Sequence, residues 1–243
     1  MTHLKFFSVT ALSLSLTAST AALVSAQESQ NDEQQSATAQ QQSGGDATWV
    51  DIATWNDADV YDGWSADALL GEDAYNQDGE EVGEVEDFIV GPDGMIQRVV
   101  VEGGGFLDIG DAHIAVPWQE ARINRGSSVT LPFSGDDLDD IAGYPNMDDM
   151  TAMAENFRVR EIIGDYAAAD GVAYGTVDDV IFDQSGMIQA LIVYPNPGYG
   201  YRTTPVALPY YGDGYAGGTG YYDVPYGSAQ LDELRPFNYG DFR

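Results

Sequence analysis

The feature that most limits how this chain can fold is a long internal repeat. Residues 78–118 lie over residues 170–210 at a constant offset of 92, and 13 of the 41 aligned positions are identical. The first copy reads D-G-E-E-V-G-E-V-E-D-F-I-V over 78–90, and the second reads D-G-V-A-Y-G-T-V-D-D-V-I-F over 170–182. Both then carry G-M-I-Q, at 94–97 and 186–189. Ile114-Ala115-Val116-Pro117-Trp118 is answered by Val206-Ala207-Leu208-Pro209-Tyr210. Upstream, Leu70-Gly71 matches Ile163-Gly164 with one residue dropped between. A period this long that occurs twice means a duplicated domain, since a solenoid uses shorter and more numerous units.

Each copy reads as β structure. Asp78-Gly79 and Asp170-Gly171 are hairpin turn dipeptides, and strands are expected after them over 82–90 and 172–182. Gly83 and Gly175 sit early in those strands, as at a bulge or a tight barrel bend. Turns at 91–94 and 183–186 lead into second strands over 95–102 and 187–194. Val99-Val100-Val101 and Leu191-Ile192-Val193 are unbroken apolar runs, the pattern of strands covered on both faces. A glycine loop over 103–110, a strand over 113–118 and a hairpin around Asn124-Arg125-Gly126 complete the first copy. Short strands with frequent turns predict that each copy closes its own small β-barrel.

The rest of the chain frames these two units. Lys5, the apolar run over 6–24 and the small residues Val24-Ser25-Ala26 read as a secretory signal cleaved before Gln27. The Gln-, Ser- and Ala-rich stretch over 27–48 lacks apolar periodicity and reads as a flexible tether. Domain one spans 64–132, a linker 133–160, domain two 161–228 and a tail 229–243. In the linker, Met147, Met150, Met153, Ala154 and Phe157 recur at helical spacing and predict a short amphipathic helix. There is no cysteine, which removes disulfides, thiolate metal sites and thiol nucleophiles.

Charge excludes some partners. The formal net charge is −31, and Lys5 is the only lysine. After cleavage eight arginines face 40 acidic residues, a net −32. Such a surface repels phosphate backbones and anionic headgroups, which argues against nucleic acid and against membrane contact beyond export. Solubility is the first meaning of the charge, and attraction of a cationic partner is the second.

Taken together, Leu69-Leu70-Gly71, the 78–87 segment, Gly94, the valines at 99–101, Gly104-Gly105-Phe106-Leu107-Asp108-Ile109-Gly110 and the 114–118 segment resemble the PRC-barrel family. The second copy keeps Ile163-Gly164, Gly175, Val177, Asp178-Asp179, Gly186 and Pro209. It departs at the glycine loop, where Asn196-Pro197-Gly198-Tyr199-Gly200-Tyr201 stands instead. The family takes its name from a cytoplasmic domain of the photosynthetic reaction centre. The resemblance implies a mainly β fold, two small six-stranded, SH3-like barrels used for docking on other proteins, and no shared catalysis.

Catalytic groups are sparse. His3 leaves with the signal, so His113 alone could serve a triad or a zinc site, and neither has its companions. The paired carboxylates Glu86-Asp87, Asp178-Asp179, Asp136-Asp137, Asp139-Asp140 and Asp148-Asp149 are neighbours in sequence, whereas glycoside hydrolysis needs two facing across a cleft. An EF-hand reading around Asn76-Gln77-Asp78-Gly79 fails, because Ala74 and Val85 would occupy its first and last ligand positions. The expectation is a periplasmic, non-enzymatic docking or scaffold protein without a cofactor, with an unidentified envelope protein as its partner. Its interaction surface is expected to include Phe106, Leu107, Ile109, Trp118, Tyr199, Tyr201, Tyr210 and Tyr211. A second reading is an acidic envelope protein that binds a ligand or, weakly, divalent cations in stress or ion buffering.

Overall fold

Both copies build the same series of short elements, as the repeated turn residues require. The structure is a computed structural model that describes residues 50–103, 113–124, 128–134, 156–197, 204–215 and 217–242. The first copy contains β1 (Trp64–Ser65), α1 (Ala66–Leu69), β2 (Asp73–Tyr75), β3 (Glu81–Val90), β4 (Ile96–Glu102), β5 (His113–Pro117), β6 (Arg122–Ile123) and β7 (Val129–Thr130). The second contains β8 (Phe157–Arg158), α2 (Val159–Ile162), β9 (Tyr166–Ala169), β10 (Val172–Phe182), β11 (Ile188–Pro195), β12 (Val206–Pro209) and β13 (Tyr221–Asp223), followed by α3 (Ser228–Leu231).

Two sheets result. One has the order β5-β4-β3-β2-β7-β6 and the other β12-β11-β10-β9-β13. Strands β2 and β7 pair in parallel, as do β9 and β13, and the remaining pairs are antiparallel. In the second copy a single bridge, Tyr215 to Tyr222, stands where β6 meets β7 in the first. The sheets curl at Gly83 and Gly175. A Cβ on these residues would lie 2.1 Å from the Glu102 carbonyl oxygen and 2.3 Å from the Tyr194 carbonyl oxygen. The apolar runs are buried throughout: Val99, Val100, Val101, Leu191, Ile192 and Val193 are all 0% exposed.

The mainly β fold with two small barrel domains is as expected, and the correction is confined to their closure, because the copies exchange their first strands instead of sealing separately. Strand β1 pairs with β10 of the second copy, Trp64 opposite Phe182 and Ser65 opposite Ile181. Strand β8 pairs with β3 of the first copy, Phe157 opposite Val90 and Arg158 opposite Ile89. Each copy thus lends its first strand and helix to the other. One hydrophobic core runs through both and includes Val85, Phe88, Val99 and Trp118 with Val177, Phe182, Leu191 and Leu208. The exchange turns the inner face of each sheet into a wall of a common core.

The linker expectation is also corrected in part. Phe157 belongs to strand β8 and contacts the Tyr215 ring at 4.8 Å between centroids, so it is no part of an amphipathic helix. Residues Met147, Met150, Met153 and Ala154 lie outside the described residues. The flanks of the duplication also pack. Val60 and Phe237 join Ile181, Ala190, Ile192 and Ala207 in a second cluster on the outer side of the second sheet, and Tyr61 stacks on Phe237 at 5.0 Å. Among the described residues no helix is long and apolar enough to cross a membrane.

Candidate functional site

The joint between the copies is built from reciprocal contacts. Met95 and Met187 face each other in an antiparallel bridge. Ile96 N donates to the Gly186 carbonyl at 2.8 Å, and Ile188 N donates to the Gly94 carbonyl at 3.0 Å. The glycines are required here. Gly94 and Gly186 have φ of +76° and +91°, and a Cβ on them would lie 2.6 Å from the Tyr210 ring and 2.7 Å from Trp118 Nε1. The aromatic residue that ends each A-x-P motif therefore seats on the G-M-I-Q glycine of the opposite copy. Phe88, Trp118 and Phe182 form a triangle with centroids 5.4 to 6.3 Å apart.

Each exchanged helix is capped by a buried carboxylate of the other copy. Asp179 Oδ1 accepts from Asp67 N at 2.9 Å, and its Oδ2 accepts from Ser65 Oγ at 2.6 Å. Asp87 Oδ1 accepts from Arg160 N at 3.1 Å, and Arg158 Nε stands 3.9 Å from its Oδ2. These carboxylates satisfy helix-start donors that would otherwise be left without partners in the interior. Burial raises both carboxyls to about 6, against the opposing effect of the N–H donors around them. The paired carboxylates thus diverge: Glu86 holds His113 Nδ1 while Asp87 caps α2, and Asp178 accepts from the Tyr239 hydroxyl while Asp179 caps α1. Among the described residues no three His, Asp or Glu side chains gather as metal ligands.

The expected interaction residues separate. Phe106, Leu107, Ile109, Tyr199 and Tyr201 lie outside the described residues. Trp118 is 6% exposed and packs in the joint, which leaves only the margin of its ring to border a hollow at the edge. Tyr210 is only partly exposed; it packs against the core, with its ring 6.0 Å from that of Tyr222. Tyr211 is half-buried, its backbone N–H and carbonyl both held by the Tyr222 hydroxyl at 2.5 and 2.6 Å.

A surface that sequence reasoning missed lies on the second sheet. Tyr194 pairs with Thr176, Thr176 with Tyr166, and Tyr166 with Tyr221, across β11, β10, β9 and β13. Directly paired residues point to the same side of a sheet, so these four make one row. The three tyrosines are 41%, 44% and 47% exposed at 194, 166 and 221, and the Tyr166 and Tyr221 rings lie 5.8 Å apart. In the first copy the same row is acidic: Glu102 pairs with Glu84 and Glu84 with Asp73. The offset of 92 already sets Tyr194 over Glu102 and Thr176 over Glu84, so comparing outward positions of the two copies is the signal that would have found it.

A family model described as PRC-barrel domain matches the chain twice, over residues 64–137 and 154–231. No curated protein matches the chain. The second match begins ahead of β8, which places the exchanged arm inside the repeat rather than in a linker. The chain belongs to the PRC-barrel domain family and carries that domain twice.

Proposed function

We propose that the chain is exported to the periplasm and works there, without catalysis, as a docking platform for another envelope protein. The observation that carries this reading is the row Tyr194–Thr176–Tyr166–Tyr221 on the second sheet, with its three tyrosines exposed. PRC-barrel is a non-catalytic domain type, which suits a platform. Tyrosine offers a large, rigid contact area with a polar tip. Its ring faces also accept lysine and arginine side chains. In a chain of net −31 the favoured partner therefore presents basic side chains beside aliphatic ones, and no cofactor is involved.

A photo-reactive amino acid placed at position 166 or 194, and in separate chains at 84 or 102, tests this in the native envelope. Discrete adducts to one protein are expected from 166 and 194, lost when Tyr221→Glu is added, and absent from 84 and 102. Equal labelling from the acidic row, or adducts indifferent to Tyr221→Glu, would remove the tyrosine row from the proposal.

A further inference from the structure

A cavity of about 710 Å³ opens at the edge of the joint, a size suited to a small organic ligand. Its apolar walls include Trp64, Met95, Trp118 and Ile123, and Arg122 and Gln184 are among its polar lining. Trp64 arrives with the exchanged arm and Gln184 with the second copy, so the cavity exists only because the two copies interlock.

Arg122 is the informative side chain. The other described arginines are engaged: Arg98 with the Ala115 carbonyl, Arg158 with Glu161, Arg160 with the Glu86 carbonyl, and Arg235 with Asp57. The Arg122 backbone pairs with Thr130, but its exposed side chain makes no ion pair or hydrogen bond among the described residues. It also borders a second hollow of about 300 Å³, which contains Glu120. A guanidinium with no side-chain partner among the described residues, on the same cavity wall as two indoles, is suited to a carboxylate that carries an aromatic body.

The equivalent place in the other copy shows that the fold does not require an opening. There Phe157 replaces Trp64 and Tyr215 replaces Ile123, and their rings meet at 4.8 Å. Gly214 replaces Arg122, and a Cβ on it would lie 2.4 Å from the Asp223 carbonyl oxygen, so no side chain fits. One copy fills this place with its own rings, while the other leaves it open and sets a cation at its edge.

We propose that the Trp64–Trp118–Arg122 cavity binds a small aromatic carboxylate, with the ring against the indoles and Arg122 on the carboxylate. Calorimetric titration of the full mature chain with phenylacetate, phenylacetamide and acetate tests it. Phenylacetate is expected to bind, with phenylacetamide and acetate each at least tenfold weaker. Arg122→Gln should weaken phenylacetate about tenfold and erase its advantage over the amide, with an unchanged melting temperature. Ile123→Tyr, which copies the filled site, should abolish binding in a folded chain. Absence of phenylacetate binding at millimolar concentration, or binding that survives both substitutions, would overturn the assignment.

Discussion

The two repeats can be compared row by row. On one sheet the outward row is Glu102, Glu84 and Asp73; on the other it is Tyr194, Thr176 and Tyr166 with Tyr221 beyond. The inward positions differ far less. Val85 and Val177, Val99 and Leu191, and Val101 and Val193 are equivalent and almost wholly buried in both. Packing tolerates only small changes of volume in a shared interior, whereas an exposed row is free to change chemistry at little cost. The repeats therefore remain one fold inside and have become two different surfaces outside.

Breaking the shared interior should have the largest effect. Phe88 and Phe182 come from different copies and touch each other, so Phe88→Ala or Phe182→Ala should each cost about 3–5 kcal/mol. Calorimetry is expected to show one lowered transition for both repeats in either variant. Two transitions with one unshifted would mean that the copies melt separately and that the exchange does not couple them.

The buried caps come next. Asp87 and Asp179 titrate near 6 in the folded chain against about 4 when unfolded. Between those values the folded state holds the protons more tightly. Each carboxyl therefore contributes stability that is complete below pH 4 and lost as pH rises through 6. At about 1.4 kcal/mol per unit, this amounts to about 3 kcal/mol per carboxyl between pH 4 and pH 7. Urea unfolding at pH 4, 5.5 and 7, compared between the parent and an Asp87→Asn, Asp179→Asn chain, should show a stability difference that changes across this window. A difference constant with pH would rule out titration of the caps.

Exchanging surface chemistry should have the smallest effect on stability. Tyr166→Asp with Tyr194→Glu gives the second sheet the two outer residues of the first sheet's row, and should cost at most about 1 kcal/mol per position. The same change should end docking. A loss of several kcal/mol would mean that the tyrosines support the fold rather than face a partner.

Much of this was legible from the residues alone. The repeat, the turns at Asp78-Gly79 and Asp170-Gly171, the glycines at 83 and 175 and the doubly covered runs at 99–101 and 191–193 all express local chemistry with short range. The candidate surface was less legible. Trp118 looked available because an aromatic after Pro117 gives no sign of what lies opposite it, and it proved to seat on Gly186 of the other copy. Tyr166 was overlooked because its significance depends on strand register, which brings it beside Tyr221, 55 residues away.

Turn residues and apolar alternation act on neighbours along the chain, so the duplicated β pattern, the acidic charge and the family could all be read from the order of residues. Three outcomes needed the folded molecule: β1 and β8 change places, Asp87 and Asp179 cap helices they do not precede, and one joint is open while its counterpart is filled. These depend on which apolar face finds which. Two similar apolar faces can pair within a copy or across copies, and the pairing seen joins strands far apart in sequence, so no local segment encodes it.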